Sequence, residues 1–131
     1  MITDAQFVAL SEFRTRLTAF LRFTEAAAGA AGISAVQYQL LVHVRAAGRD
    51  GIGIGELAQK LGTTHQGAVA LVKRCEQRGL VRKRRRRDDE RRVDVQLAAG
   101  ARRLLEPLVC EHLRQLDGIE TVLRALRRAR G

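Results

Sequence analysis

Apolar residues recur every three or four positions over most of this chain and every second position over one short stretch; this contrast predicts the elements. Phe7, Leu10, Phe13, Leu17, Phe20 and Leu21 form one helical stripe, so Asp4 to Ala28 reads as a helix with Thr3 as N-cap and Gly29 or Gly32 as its stop. Ser34 can cap a second helix carrying Val36, Leu40, Leu41 and Val44, which the segment 47–51 breaks. Ile52 to Ile54 is compatible with a short strand. A short helix follows from Ile54 to Leu61, with Leu57, Ala58 and Leu61 on one face and Gly62 at its end. Thr63 and Thr64 both offer capping hydroxyls to a fourth helix. It runs to about Arg78, with Ala68, Leu71, Val72 and Cys75 as its buried stripe and Gly79 just past its end.

From Leu80 the period changes. Val93, Val95 and Leu97 alternate with Arg92, Asp94 and Gln96, the pattern of a strand with one face in the core and one in water. A partner strand from Leu80 to about Arg86 completes a hairpin with a polar tip at Arg87 to Glu90. From Ala98 the helical stripe returns through Leu104, Leu105, Leu108, Val109, Leu113, Leu116, Ile119, Val122, Leu123 and Leu126. Pro107 predicts a kink or a helix boundary within it, and so two helices after the hairpin. A helix pair joined by a glycine turn and followed at once by a hairpin is the order of a winged helix-turn-helix. The fold class is therefore mainly α with a small β-hairpin, in a single domain over residues 1–131. Residues 33–98 form the lobe. The stripes of residues 1–30 and 99–131 would be bare on a lone chain, so these segments are expected to interlock with a twin as a homodimer.

Charge narrows the partner. The net charge is +10, and residues 60–92 alone hold twelve Lys and Arg against four Asp and Glu. Concentration in one quarter of the chain argues against a uniform Arg-rich bias and for a polyanionic partner, nucleic acid or less often an anionic membrane surface; the winged helix-turn-helix order makes double-stranded DNA the expected one. The helix after Thr64 is the expected recognition helix. Its first residues, Thr64, His65, Gln66 and Gly67, would meet base edges: Gln suits adenine, a hydroxyl suits base or phosphate, and glycine permits close approach. Lys73, on the same outward face, suits a phosphate, while Val69 is either core or a contact to a thymine methyl. The hairpin carries the six-residue basic run Arg82 to Arg87, which includes Arg86, then Asp88 to Arg92. An Arg such as Arg91 suits a narrow minor groove, and a carboxylate such as Asp89 can fix its guanidinium.

At these residues the chain resembles the MarR family. The likeness rests on the segments 54–62 (IGELAQKLG), 66–74 (QGAVALVKR), 78–81 (RGLV), 89–91 (DER) and 93–97 (VDVQL), and spans roughly residues 33–105. The resemblance implies a sequence-specific, ligand-responsive repressor that acts as a homodimer on a palindromic promoter site. It places the minor-groove role on Arg91 and its support on Asp89. It also implies an effector pocket between dimer helices and lobe, for which Arg16, Tyr38 and His43 are the first polar residues to consider. Two positions depart from the family: Ala98 stands where a Thr often caps the next helix, and Cys75 where a Leu is common.

The remaining chemistry is sparse. The three histidines lie in different predicted helices, and no nucleophile motif, phosphate loop or metal-ligand spacing is present. No enzyme activity, metal or cofactor is therefore expected. Cys75 and Cys110 form no CxxC pair and read as free thiols of a reducing cytoplasm, with Cys75 buried. No signal peptide or membrane segment is expected. Two other functions fit the same charge: a winged helix that binds nucleic acid by shape without reading sequence, and a protein-interaction module with an acidic partner.

Overall fold

A computed structural model describes residues 1–89 and 91–130. Glu90 of the expected hairpin tip and Gly131 of the expected dimer segment lie outside the described residues. The first helix, α1, spans Asp4–Ala30 and begins in a capping box: Gln6 N donates to Thr3 Oγ1 and Thr3 N to Gln6 Oε1. It passes through Gly29. Gly32, at φ +84°, is the glycine that follows its end. The second helix, α2 (Ala35–Ala46), starts in the same way from Ser34 and Gln37. Then follow β1 (Ile52–Gly53), α3 (Ile54–Leu61), α4 (His65–Gln77), β2 (Val81–Arg85), β3 (Val93–Leu97) and α5 (Ala99–Ala129). None of the described helices is long and apolar enough to cross a membrane.

The antiparallel sheet runs in the order β1-β3-β2, which corrects the reading of β3 as a strand with one wet face. β3 is central: Val95 pairs with Ile52 on one side and with Lys83 on the other, and Asp94, Val95 and Gln96 are all buried. The two polar residues are matched. Asp94 accepts from Arg86 Nε at 2.9 Å, and Gln96 Nε2 donates to Arg49 O at 3.0 Å. Gly51 explains why the turn before β1 can press so close. Its φ is +83°, and a Cβ there would lie 2.3 Å from Val95 O.

A second correction concerns the C-terminal segment. Pro107 neither ends a helix nor divides it in two; α5 continues through it for 31 residues. Pro107 removes one N–H from the ladder, a defect the flanking turns absorb. Ala98 caps α5 with no side-chain bond.

The core sits where α2, α3, α4 and β3 meet: Leu40, Leu41, Val44, Leu57, Val72, Cys75 and Val95 are all essentially inaccessible. It extends past the lobe into Ala28 of α1 and Ala101, Leu105 and Leu108 of α5. α5 returns antiparallel along α1, so that Gln6 Nε2 donates to Ala129 O and Arg16 lies beside Gly118. Where α1, α2 and α5 meet, His112 is 5 % exposed and ringed edge-on by Phe20, Phe23 and Tyr38. Its Nδ1 bonds to the Tyr38 hydroxyl, and its Nε2 has no partner among the described residues. Burial pushes the His112 pKa down, opposed by the Glu111 charge.

Two predictions follow from this packing. Gly48→Ala, at φ +90° with open space around it, should lose about 1–2 kcal/mol, the left-handed penalty alone. Gly51→Ala should lose distinctly more, because its Cβ meets backbone; equal losses in denaturant titrations would mean that the turn simply gives way. For His112, the unfolded chain takes up a proton near the ordinary pKa of about 6.5 while the folded chain resists it. Stability is therefore intact above that pH and falls as the pH drops below it. Thermal melts at pH 7.5 and pH 5 should show that loss and should show less of it in His112→Phe. An undiminished loss would point to His43, which burial also lowers.

Candidate nucleic-acid interface

The turn between α3 and α4 is built from single-residue requirements. Gly62 takes the left-handed conformation at φ +67°, and Thr63 N returns to Ala58 O, which closes α3. Of the two candidate caps, Thr64 is the one used: its Oγ1 accepts from Gly67 N at 3.0 Å. Gly67 has a local reason to be glycine. A Cβ at that position would lie 2.5 Å from Thr63 Oγ1 and 3.1 Å from Thr64 Oγ1, so the close approach is to the chain's own threonines. With Ala68, Val72 and Cys75 turned into the core, His65, Gln66, Ala70 and Lys73 are exposed. Gln66, Ala70 and Lys73 share one face by their spacing of four and three. Val69 is half-buried.

The wing's side chains are arranged differently from the expectation. Asp89 does not grip the Arg91 guanidinium. Its Oδ1 accepts from the Arg91 backbone N–H at 3.0 Å, while Asp89 O accepts from Arg92 N. Asp89 thus sets the path of the backbone that carries Arg91, as Asp does in turns. The ion pair of the wing is instead Arg86 with Asp94. The Asp94 hydrogen bond, more than its charge, raises the Arg86 pKa further. Asp94 went unrecognised because alternation assigned it to water; its position opposite Arg84 on a strand with neighbours on both sides is the signal that could have found it.

Between wing and helix pair lies a cleft of about 550 Å³. Arg86, Arg91 and Arg92 line one side, and the first turn of α3 with His65 lines the other. Gly53 caps α3 without a side chain, so no side-chain acceptor occupies the first N–H groups of that helix. Three arginines beside a helix N-terminus make a basic seat suited to a phosphate, opposed among the lining residues by Glu56 and by Asp94, which is paired with Arg86.

The structure therefore gathers His65, Arg86 and Arg91 around one cleft. Thr64, Gln66 and Gly67 adjoin it at the start of α4, and Lys73 lies two turns further along. Asp89 supports the backbone beside it. The three residues considered for an effector do not meet. Arg16 is exposed and bonded to Glu12 at 3.3 Å, Tyr38 is engaged with His112, and His43 faces the Lys60 charge. Sequence reasoning missed His112, although it continues the stripe Ala101, Leu105, Leu108 at helical spacing. Cys75 is fully buried and its thiol pKa is raised by burial; Cys110 is exposed, and Arg114 nearby pairs with Glu111. No cluster of three or more potential metal ligands occurs among the described residues.

A family model described as MarR family matches residues 31–92. A search of curated proteins finds no matching sequence. Among solved structures, the fold is shared with AbsC, a MarR family transcriptional regulator from Streptomyces coelicolor (TM-score 0.75, 17% identity, 94% of this chain and 83% of that one). It is shared with a mutant MarR from E. coli complexed with operator DNA (TM-score 0.66, 22% identity, 86% and 78%). It is also shared with CouR from Rhodococcus jostii RHA1 bound to p-coumaroyl-CoA (TM-score 0.70, 23% identity, 85% and 80%). The matched segment covers the helix-turn-helix and most of the wing described above, so over these residues the chain is similar to the MarR family, and its fold is the mainly α winged helix-turn-helix shared with the regulators just named.

Proposed function

We propose that the protein is a homodimeric repressor that sets one lobe on each half of a palindromic promoter site and releases it in response to a small molecule. The observation that carries this reading is the arginine-lined cleft beside the exposed start of α4. In it, Thr64, His65, Gln66 and Gly67 face the major groove, with Gln66 reading a base. Lys73 and Arg86 serve phosphates, and Arg91 enters the minor groove from a backbone that Asp89 holds in shape. Residues 33–98 are the reading lobe. Residues 1–30 and 99–131 make the dimer, a role supported by the exposure of Phe7, Leu10, Leu113, Leu116 and Leu123 along α1 and α5. A small-molecule effector is favoured by a structural neighbour that holds p-coumaroyl-CoA. An effector that changes the spacing of the two lobes would disengage them from successive major grooves.

Base reading and wing support are tested together by fluorescence anisotropy on one bound duplex and its scrambled control. Arg91→Ala should weaken specific binding about tenfold or more, and Gln66→Ala should lose about 1–3 kcal/mol of preference at one or two base pairs. Asp89→Ala should also weaken binding, although it removes a negative charge from the wing. Tighter binding by Asp89→Ala would reduce the wing to a charged surface, and equal affinity for scrambled DNA would favour the shape-reading alternative. The dimer is tested by sedimentation of Leu123→Asp, which should give monomer without loss of the fold. Leu105 is unsuitable for this purpose, since it is 3 % exposed within its own chain and its replacement would disrupt the lobe. A wild-type protein that sediments as monomer at micromolar concentration would overturn the arrangement.

A further inference from the structure

A second arginine cluster lies away from the cleft. Arg45 in the last turn of α2, Arg49 in the turn after it, Arg82 on β2 and Arg102 in the first turns of α5 line a groove of about 260 Å³, with Gln96 and Leu97 of β3 between them. Register places this groove on the far side of the sheet from α4. Arg82 pairs with Gln96, whereas the next residue, Lys83, points the other way and reaches Glu76 of α4 at 3.7 Å. The four residues up β2 from Arg86 to Arg82 carry the groove about 13 Å back from the wing's end.

Donors dominate its lining. The carbonyls on its rim are already used: Arg45 O accepts from Gly48 N, Gly48 O from Gly51 N, and Arg49 O from the Gln96 side chain. Among the described residues, no carboxylate lies within 4.0 Å of any of the four guanidiniums. Asp50, next to Arg49, exerts its charge on Arg86. The turn that bears Arg49 is held on β3 by the Gln96 bond and by the close seat of Gly51. Four like charges brought from separate elements to one small groove repel one another until an anion lies between them. The space is below the usual range of about 300–1,000 Å³ for a drug-sized ligand and suits a compact group with several charged oxygens.

We propose that this groove binds a compact phosphorylated anion, an inorganic diphosphate or triphosphate or the phosphate tail of a larger molecule. The site joins α5 to the lobe through one ligand, because Arg102 stands on the former and Arg45, Arg49 and Arg82 on the latter. It does not depend on how the protein reads DNA.

Isothermal titration calorimetry of the full chain with inorganic pyrophosphate, at fixed ionic strength, tests the proposal. Binding should include one saturable site per chain, distinct from any anion held in the wing cleft, that weakens about tenfold in Arg45→Gln and in Arg102→Gln, each of which removes charge-assisted hydrogen bonds from an exposed position. It should be nearly unchanged in Arg128→Gln, which removes the same charge elsewhere, and in Arg91→Gln, which empties the wing cleft of one guanidinium. A parallel titration with adenosine triphosphate identifies the source: tighter binding than inorganic triphosphate favours a phosphate tail, weaker binding a free phosphate. The proposal is overturned if all four variants lose affinity equally, if Arg91→Gln alone loses it, or if a random-sequence duplex abolishes pyrophosphate binding.

Discussion

An ionised carboxylate in the middle of a sheet must be matched at short range, because the cost of leaving it unpaired exceeds what the surrounding contacts return. Asp94 creates that demand and Arg86 answers it. The pair holds one guanidinium of the wing against β3, and Arg86 N donating to Arg92 O ties the two sides of the hairpin beyond the last β2 residue. Gln96, two residues along on the same face, does the equivalent for the other end of the sheet by holding the turn before β1. Val95, between them on the opposite face, enters the core. One five-residue strand thus fixes the wing, the turn and the packing of the helices at once.

That strand is also where reading the sequence fell short. Alternation reveals the spacing of side chains and not what lies over each face, and β1 was too short to show that β3 would have a neighbour on both edges. Local chemistry was more legible. The bounds of α3, the caps Thr3, Ser34 and Thr64, and the glycines after α3 and α4 depend on residues within four positions of one another, so one sequence suffices to find them. Asp89 shows the limit of such reasoning. Its proximity to Arg91 was plain, yet a short carboxylate reaches the neighbouring N–H more readily than a long side chain's end. Arg16, Tyr38 and His43 are the first polar residues to consider for a pocket that the resemblance implies, and nothing in sequence spacing says which helix faces will meet. His112 meets Tyr38 across 74 positions.

The two long helices set a different balance from the lobe. Of the 27 residues of α1, Ala28 alone is fully buried, and α5 buries its apolar positions mainly in the half that reaches the lobe. Stability within the single chain is therefore concentrated at one end, where the aromatic ring around His112 and the core leucines meet. The free ends of the helices are left with weak lateral support. The continuity of α5 through Pro107 has weight here, since an unbroken helix carries any displacement of its outer half into the lobe core at Leu105 and Leu108.

Gly67 limits how this surface can be altered by engineering or divergence. While Thr63 keeps its place, position 67 admits no side chain, and Thr64 is tied to the helix start by its capping bond. Variation at the start of α4 is left to His65, Gln66 and Ala70, with Val69 only half available and Lys73, Arg74, Glu76 and Gln77 exposed further along the helix. A library built to retarget the protein would gain most from these few positions. Diversity introduced at 67 would first have to displace the Thr63 hydroxyl.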